Sequence, residues 1–234
     1  MTEREKQWMA ARCGKVTGSG LAKLMTKGKS KAEWGDVSLK YLYEKKYELR
    51  TGKPVRQESN ANFRFGNDNE SMSIEWLRAN TMHSILHCSS EIDFPDSIYF
   101  KCDIIENLGD SPDSLIDDDS VGETKCLVSQ AKFESMRGLS KEDVFGEYKW
   151  QLANHLLAHP DRSKVIYWVY DPQSDDDEMD LLDPLDSSRG LIWVYNRDDF
   201  GNMFSEIEER VKIGMSAVIE SLKTGEKIEK ILGL

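Results

Sequence analysis

Two carboxylates and a lysine that together could hold a metal ion and activate water stand close together in SPDSLIDDDSVGETKC, residues 111–126. Glu123 and Lys125 are two residues apart, so they point to the same face of a predicted strand. Asp113 begins the preceding predicted strand, and a tight connection through residues 117–120 would bring it beside that pair. Adjacent carboxylates repel each other unless a cation lies between them. Because hard divalent cations such as Mg²⁺ prefer oxygen ligands, the spacing predicts a metal site suited to phosphodiester hydrolysis.

The same spacing also has an ordinary structural interpretation. An exposed acidic turn with one lysine fits an acidic protein equally well, and so short a pattern often occurs by chance. Pro112 favours a turn under either interpretation. The hairpin alone therefore does not decide between the two.

Composition limits the classes of protein that the chain can represent. Its 234 residues, 39% of them hydrophobic, predict one domain spanning residues 1–234. Proteins that bind nucleic acid through bulk charge are usually basic, so with a net charge of −11 any DNA contact must come from a local groove. Because no apolar run reaches ~18 residues and the charged N-terminus lacks the apolar stretch of a signal peptide, we expect a cytoplasmic protein without a membrane partner.

Other metal sites have weaker support. The four cysteines are scattered, which is typical of reduced thiols and gives no spacing for a zinc ribbon or an iron–sulfur cluster. His155 and His159 are four residues apart on a predicted helix, a spacing that can bind zinc. Because no third ligand is evident, we interpret them as ordinary helix residues. His155 lies one turn from Gln151 and could help to shape a pocket for phosphate.

The order of predicted elements indicates an α/β protein with a sheet flanked by helices. Apolar residues at helical spacing predict helices at 3–12, from about 21, and at 36–50, 62–80, 147–159 and 198–223. The pattern predicts strands within 84–94 and 97–105 and two shorter strands at 114–117 and 122–126. Segments 163–171 and 190–196 predict strong strands, because they are rich in β-branched and aromatic residues.

The hairpin SPDS…GETKC resembles the PD-(D/E)xK nuclease motif, and in particular the lambda-exonuclease (YqaJ-type) family of phage recombination exonucleases. Three further segments resemble that family in the same order: ARCGKVTGSG at 11–20, FGNDNESMSIEWL at 65–77 and EYKWQLANHLL at 147–157. The resemblance implies a restriction-endonuclease-like fold, with a central mixed β-sheet flanked by helices.

The resemblance assigns the hydrolytic roles residue by residue. Asp113 and Glu123 would be metal ligands together with the backbone carbonyl of Thr124, and Glu70 would complete a second metal position. Lys125 would activate the attacking water. Two Mg²⁺ ions would be bound in each active site, and Mn²⁺ could replace them.

A second set of residues would bind a terminal 5′-phosphate by the same resemblance: Arg12, Ser19, Ser111 and Gln151. Arginine offers a forked, permanently charged donor for phosphate. Ser19 lies at the start of a predicted helix, where backbone N–H groups favour anions. Without the resemblance, Arg12 and Gln151 would be interpreted as surface residues.

The implied activity is 5′→3′ degradation of one strand of duplex DNA from a phosphorylated end. The family also implies a ring-shaped homotrimer, a single-strand annealing protein as partner and a phage or prophage origin. Two alternatives remain open: a restriction- or repair-type endonuclease, and a non-catalytic relative that binds DNA ends.

The chain departs from the family pattern in three places. Ser114 replaces a glycine, so the backbone of the turn has less conformational freedom than in the family pattern. Leu127 replaces a proline. The acidic loop 171–189 is long.

Two further expectations concern Asp103, which could face the metals, and Trp34, which could stack on DNA.

Overall fold

A computed structural model describes residues 3–29, 33–55, 61–91, 99–172 and 187–234. In chain order its elements are α1 Glu3–Arg12, β1 Val16–Thr17, α2 Gly18–Leu24, α3 Asp36–Thr51, α4 Ala61–Asn80, β2 Ile85–His87, α5 Cys88–Glu91, β3 Phe100–Lys101, β4 Leu108–Asp110, β5 Ser114–Ile116, β6 Ser120–Cys126, α6 Gln130–Met136, α7 Lys141–Ala158, β7 Lys164–Tyr170, β8 Gly190–Asn196, α8 Met203–Thr224 and α9 Ile228–Ile231.

The described strands form two sheets. The larger has the order β2-β5-β6-β7-β8, in which β6 and β7 run parallel and the other neighbours run antiparallel. The smaller has the order β1-β4-β3, with β1 parallel to β4. The predicted mixed sheet flanked by helices is therefore confirmed.

Strand β7 separates the two parts of the hydrophobic core. Its sequence KVIYWVY is apolar almost throughout, as expected for a strand covered on both faces. Val165, Tyr167 and Val169 pack with residues of α7 and α8, whereas Ile166 and Trp168 pack with residues of α4. The parallel pairing of β6 with β7 thus fixes the hairpin β5–β6 to the middle of the core.

Several element boundaries differ from the predictions. The strand predicted from residue 84 ends at His87, and the helix α5 replaces it from Cys88 onward. The short elements β1, β4, α6 and α9 were also not predicted. Helix α7 begins six residues earlier than predicted because Ser140 and Asp143 form a capping box at its start. Most of the acidic loop 171–189 lies outside the described residues.

The prediction that Trp34 contacts DNA is wrong. Its side chain is 5% exposed and belongs to the core. The guanidinium of Arg210 lies 3.4 Å from the centre of its ring. The ring is thus already stacked on a cation and offers no free face to a base.

The remaining sequence predictions concern the cysteines, membrane-spanning helices and the number of domains. All four cysteines are free thiols: Cys13, Cys88, Cys102 and Cys126. Among the helices in the described ranges, we find none that is both long and apolar enough to cross a membrane. The single-domain assignment for residues 1–234 stays a prediction.

Candidate active site

The hairpin β5–β6 brings the two predicted metal ligands together at one end of the large sheet. Ser114 pairs with Gly122, so the antiparallel register places Asp113 opposite Glu123. Asp113 Oδ2 accepts a hydrogen bond of 2.7 Å from the Thr124 N–H. Because the N–H and C=O of one residue point to the same side of a strand, the Thr124 carbonyl points toward Asp113 as well.

Arg162 anchors the far end of this hairpin. Its Nη1 donates to the carbonyls of Asp117 and Ser120 at 3.1 and 2.6 Å. Asp117 has a left-handed backbone, φ 46°, which aspartate tolerates better than most residues do. The predicted tight connection is therefore present.

Glu123 lies at the centre of the cluster and is 2% exposed. Its Oε1 accepts hydrogen bonds from Lys125 Nζ and, at 2.6 Å, from Gln151 Nε2. Its Oε2 contacts His155 Nε2 at 3.0 Å. Burial raises the pKa of Glu123, but Lys125 and His155 outweigh that effect and lower it. Burial lowers the pKa of Lys125, but Glu123 and Asp113 outweigh it in the opposite direction and raise it.

The positive charge near Asp113 is too small to stabilise its carboxylate in the charged form. Burial and the charges of Glu123 and Glu70 raise the pKa of Asp113 well above its usual range, although Lys125 opposes them. Glu70 projects from α4, and its Oε1 accepts hydrogen bonds from His87 Nε2 at 2.8 Å and from Ser89 Oγ at 3.0 Å. The structure thus brings the carboxylates of Asp113, Glu123 and Glu70 close enough together for their charges to interact.

These residues fit a hard divalent cation by their chemistry. Carboxylates that destabilise one another's charge are stabilised by a cation between them, and the nearby Thr124 carbonyl is a further oxygen ligand of the kind that Mg²⁺ accepts. Within the described part of the chain, no three His, Cys, Asp or Glu side chains are spaced to hold a metal ion as they stand. Lys125 and Gln151 contact the Glu123 oxygen that a cation would need.

The predicted phosphate-binding residues lie beside this cluster. Arg12 Nη2 donates to Thr17 Oγ1 at 3.0 Å and to Ser19 Oγ at 3.5 Å, and its guanidinium lies 4.1 Å from the centre of the Trp8 ring. Burial lowers the pKa of Arg12, although nearby acidic groups oppose that effect. Thr17 precedes α2 but makes no side-chain capping bond, and its hydroxyl accepts from Arg12.

The small sheet joins this group to the carboxylate cluster. Thr17 pairs with Gly109 in the parallel strands β1 and β4, so the residues after both strands emerge at the same end. Ser111, which is half-buried, follows β4. A methyl group on Gly18 would lie 3.2 Å from Gln151 Cγ, which shows how closely α7 approaches α2. Gln151 therefore lies between Glu123 and the α2 turn.

Asp110 and His155 complete the centre. Asp110 was not predicted as a site residue, and His155 was predicted only as a neighbour of Gln151. Asp110 is 1% exposed, and its Oδ2 lies 2.7 Å from His155 Nδ1. His155 thus uses both ring nitrogens on carboxylates, which argues against a zinc role with His159. Asp103, by contrast, lies exposed in the bend after β3, and Asp110 is the acid of this segment that contacts the cluster. The only sequence signal for either Asp110 or His155 was the one-turn spacing from Gln151 to His155.

The two departures in and directly after the hairpin have structural explanations. Ser114 is extended in β5, so its position does not need the conformational freedom of glycine. Its hydroxyl occupies the space above Gly122, where an added Cβ would lie 2.1 Å from Ser114 Oγ. Leu127 donates its N–H to the Tyr170 carbonyl at 3.2 Å, which a proline could not do.

Solved structures with the same fold include two nuclease groups. An alkaline exonuclease (LHK-Exo) from Laribacter hongkongensis is 24% identical, with a TM-score of 0.69 over 93% of this chain and 94% of that chain. LHK-Exo in complex with dAMP gives 22% identity and a TM-score of 0.70 over 97% and 98%. A phage related exonuclease from Haemophilus somnus 129PT gives 16% and 0.58 over 89% and 93%.

Sequence comparison assigns the family. A search of the curated proteins finds no match. The pattern that defines the YqaJ-like viral recombinase domain matches residues 7–158, which is more than half of the chain and includes all the predicted site residues. This chain therefore belongs to the YqaJ-like viral recombinase domain family and has the fold of the alkaline exonucleases.

Proposed function

We propose that the protein is a metal-dependent deoxyribonuclease that degrades one strand of duplex DNA in the 5′→3′ direction from a phosphorylated end. The observation that carries the proposal is the convergence of Asp113, Glu123 and Lys125 at one end of β5 and β6. Glu70 lies close enough for its charge to raise the pKa of Asp113. The family and the shared exonuclease fold support the same activity.

The chain's own residues would divide the hydrolytic work. Asp113, Glu123, Glu70 and the Thr124 carbonyl would hold two Mg²⁺ ions, which supply an activated water and stabilise the leaving oxygen. Lys125 is kept positively charged by the two carboxylates beside it. It would therefore orient the attacking water or neutralise charge on the scissile phosphate.

The Arg12 group would select the end of the DNA. Arg12 and the Ser19 hydroxyl lie together at the first turn of α2. Gln151 lies between that turn and Glu123, and Ser111 directly follows β4. A terminal phosphate bound there would place the first phosphodiester near the carboxylates. The reported complex of LHK-Exo with dAMP is in keeping with a site that accepts a mononucleotide 5′-phosphate.

A direct test is digestion of linear duplex DNA with Mg²⁺, with EDTA and with Lys125→Ala as controls. We expect mononucleotides from the wild type and none from either control. A covalently closed circle, incubated in parallel, distinguishes the alternatives. Cleavage of the circle would indicate an endonuclease, whereas metal-dependent binding to ends without any product would indicate a non-catalytic relative.

The homotrimer and the single-strand annealing partner belong to the same proposal. Both rest on the family resemblance, and a ring of three copies would keep duplex DNA attached during degradation. Light scattering of the purified protein would test the assembly, with a mass about three times the 26.8 kDa of one chain as the expected result.

A further inference from the structure

We propose that Asp110 and His155 form a positioning pair that fixes Glu123 in the orientation needed for metal binding. The inference rests on the proposed function and adds two residues that belong to neither the proposed metal ligands nor the proposed phosphate-binding residues. Neither residue would touch the metal or the DNA. Both would act through the Glu123 carboxylate.

The contacts form a continuous chain from the small sheet to the hairpin. Asp110 Oδ2 on β4 meets His155 Nδ1 at 2.7 Å, and His155 Nε2 meets Glu123 Oε2 on β6 at 3.0 Å. All three side chains are buried, with 1 to 3% of each side chain exposed. The carboxylate of Glu123 is therefore tied on its Oε2 side, and its Oε1 is left toward Lys125 and Gln151.

Asp110 is itself fixed. Its Oδ1 accepts a hydrogen bond of 2.9 Å from Asn154 Nδ2, and His159 Nε2 lies 3.4 Å from its Oδ2. Asn154, His155 and His159 all belong to α7 or its C-terminal end. The orientation of Glu123 is thus coupled to the junction between β4 and α7 rather than to the hairpin alone.

A role in packing alone would not account for this arrangement. Burying charged groups costs several kcal/mol each, and well-packed apolar residues often replace buried ion pairs without loss of stability. Hydrogen-bonded partners behind a metal ligand, in contrast, commonly change metal affinity about 10–100-fold when they are removed. The position of the pair, directly behind a proposed ligand, favours the second role.

The test measures metal binding rather than catalysis. Mn²⁺ would be titrated calorimetrically into the full-length wild type, Asp110→Asn, His155→Gln and the control His83→Gln. The control residue pairs with Asp117 at 2.6 Å, at the opposite end of β5 from Asp113. Asp110→Asn is isosteric and does not touch Glu123, so it is the decisive variant if His155→Gln does not fold. Thermal unfolding would be recorded for all four proteins.

We expect Mn²⁺ to bind Asp110→Asn about 10–100-fold more weakly than the wild type, with wild-type affinity in the control. Unchanged Mn²⁺ affinity in folded Asp110→Asn would overturn the inference and leave the proposed function intact. Failure of the wild type itself to bind Mn²⁺ would overturn the proposed metal dependence, and this inference with it. The KM for DNA should not change in Asp110→Asn, whereas a general distortion of the site would raise it.

Discussion

Replacing Gly122 with alanine tests the close fit between the two strands of the hairpin. The added Cβ would lie 2.1 Å from Ser114 Oγ, 2.9 Å from Ile116 Cδ1 and 3.0 Å from Trp168 Cζ3. None of these neighbours can move freely, because all three residues are 0% exposed. Overpacking of a core costs about 1–3 kcal/mol, and we expect the upper end here. In a domain of this size ~3 kcal/mol corresponds to a fall in Tm of roughly 6–12 °C.

Thermal unfolding followed by circular dichroism would measure this cost. Ser114→Gly combined with Gly122→Ala removes the shortest contact, so the double variant should recover part of the lost Tm. Gly146→Ala is the matched control, because its added Cβ meets nothing within 4 Å and alanine is favoured over glycine inside a helix. A Tm for Gly122→Ala equal to that of the wild type, or no recovery in the double variant, would refute the reasoning.

Three further predictions concern single side chains. Burial lowers the pKa of His155, but the two carboxylates beside it raise it to about 10. A raised pKa in the folded state stabilises the protein fully below pH ~6.5 and less as the pH rises through about 10. We therefore expect ¹⁵N NMR without added metal to show both ring nitrogens of His155 protonated at pH 8. A neutral His155 ring at pH 8 would contradict this prediction. Arg12→Ala should raise the KM for 5′-phosphorylated DNA about 10–100-fold, since charged hydrogen bonds contribute ~1.5–3 kcal/mol, and leave the KM for 5′-hydroxyl DNA unchanged. Trp34→Ala should destabilise the fold by ~3–5 kcal/mol without weakening DNA binding by the folded protein, as a binding titration below its Tm would show.

The parts of the site that could be predicted from the sequence are those encoded by local spacing. Glu123 and Lys125 share a strand face at i and i+2, and Asp113 is carried to them by a short turn. The strong strands β7 and β8 are similarly marked by β-branched and aromatic runs. In each case the residues that specify the structure are neighbours in the chain, so the pattern is sufficient.

The parts that were missed depend on contacts between distant residues. Asp110 lies on a strand of three residues, too short to give a period, and its partner His155 is 45 residues away. Trp34 looked like a loop residue because Arg210, which covers its ring, comes from α8 near the other end of the chain. Tertiary packing, rather than local preference, decided both positions.

The most direct test of the central claim is a strand-resolved digestion of linear duplex DNA in Mg²⁺, in which one end carries a 5′-phosphate and the other a 5′-hydroxyl. The account predicts rapid release of 5′-mononucleotides from the phosphorylated strand, slow release from the hydroxyl end, and none from either end in Lys125→Ala. Equal degradation from both ends would contradict the Arg12 pocket. Release that survives in Lys125→Ala would contradict the assignment of the hairpin as the hydrolytic centre.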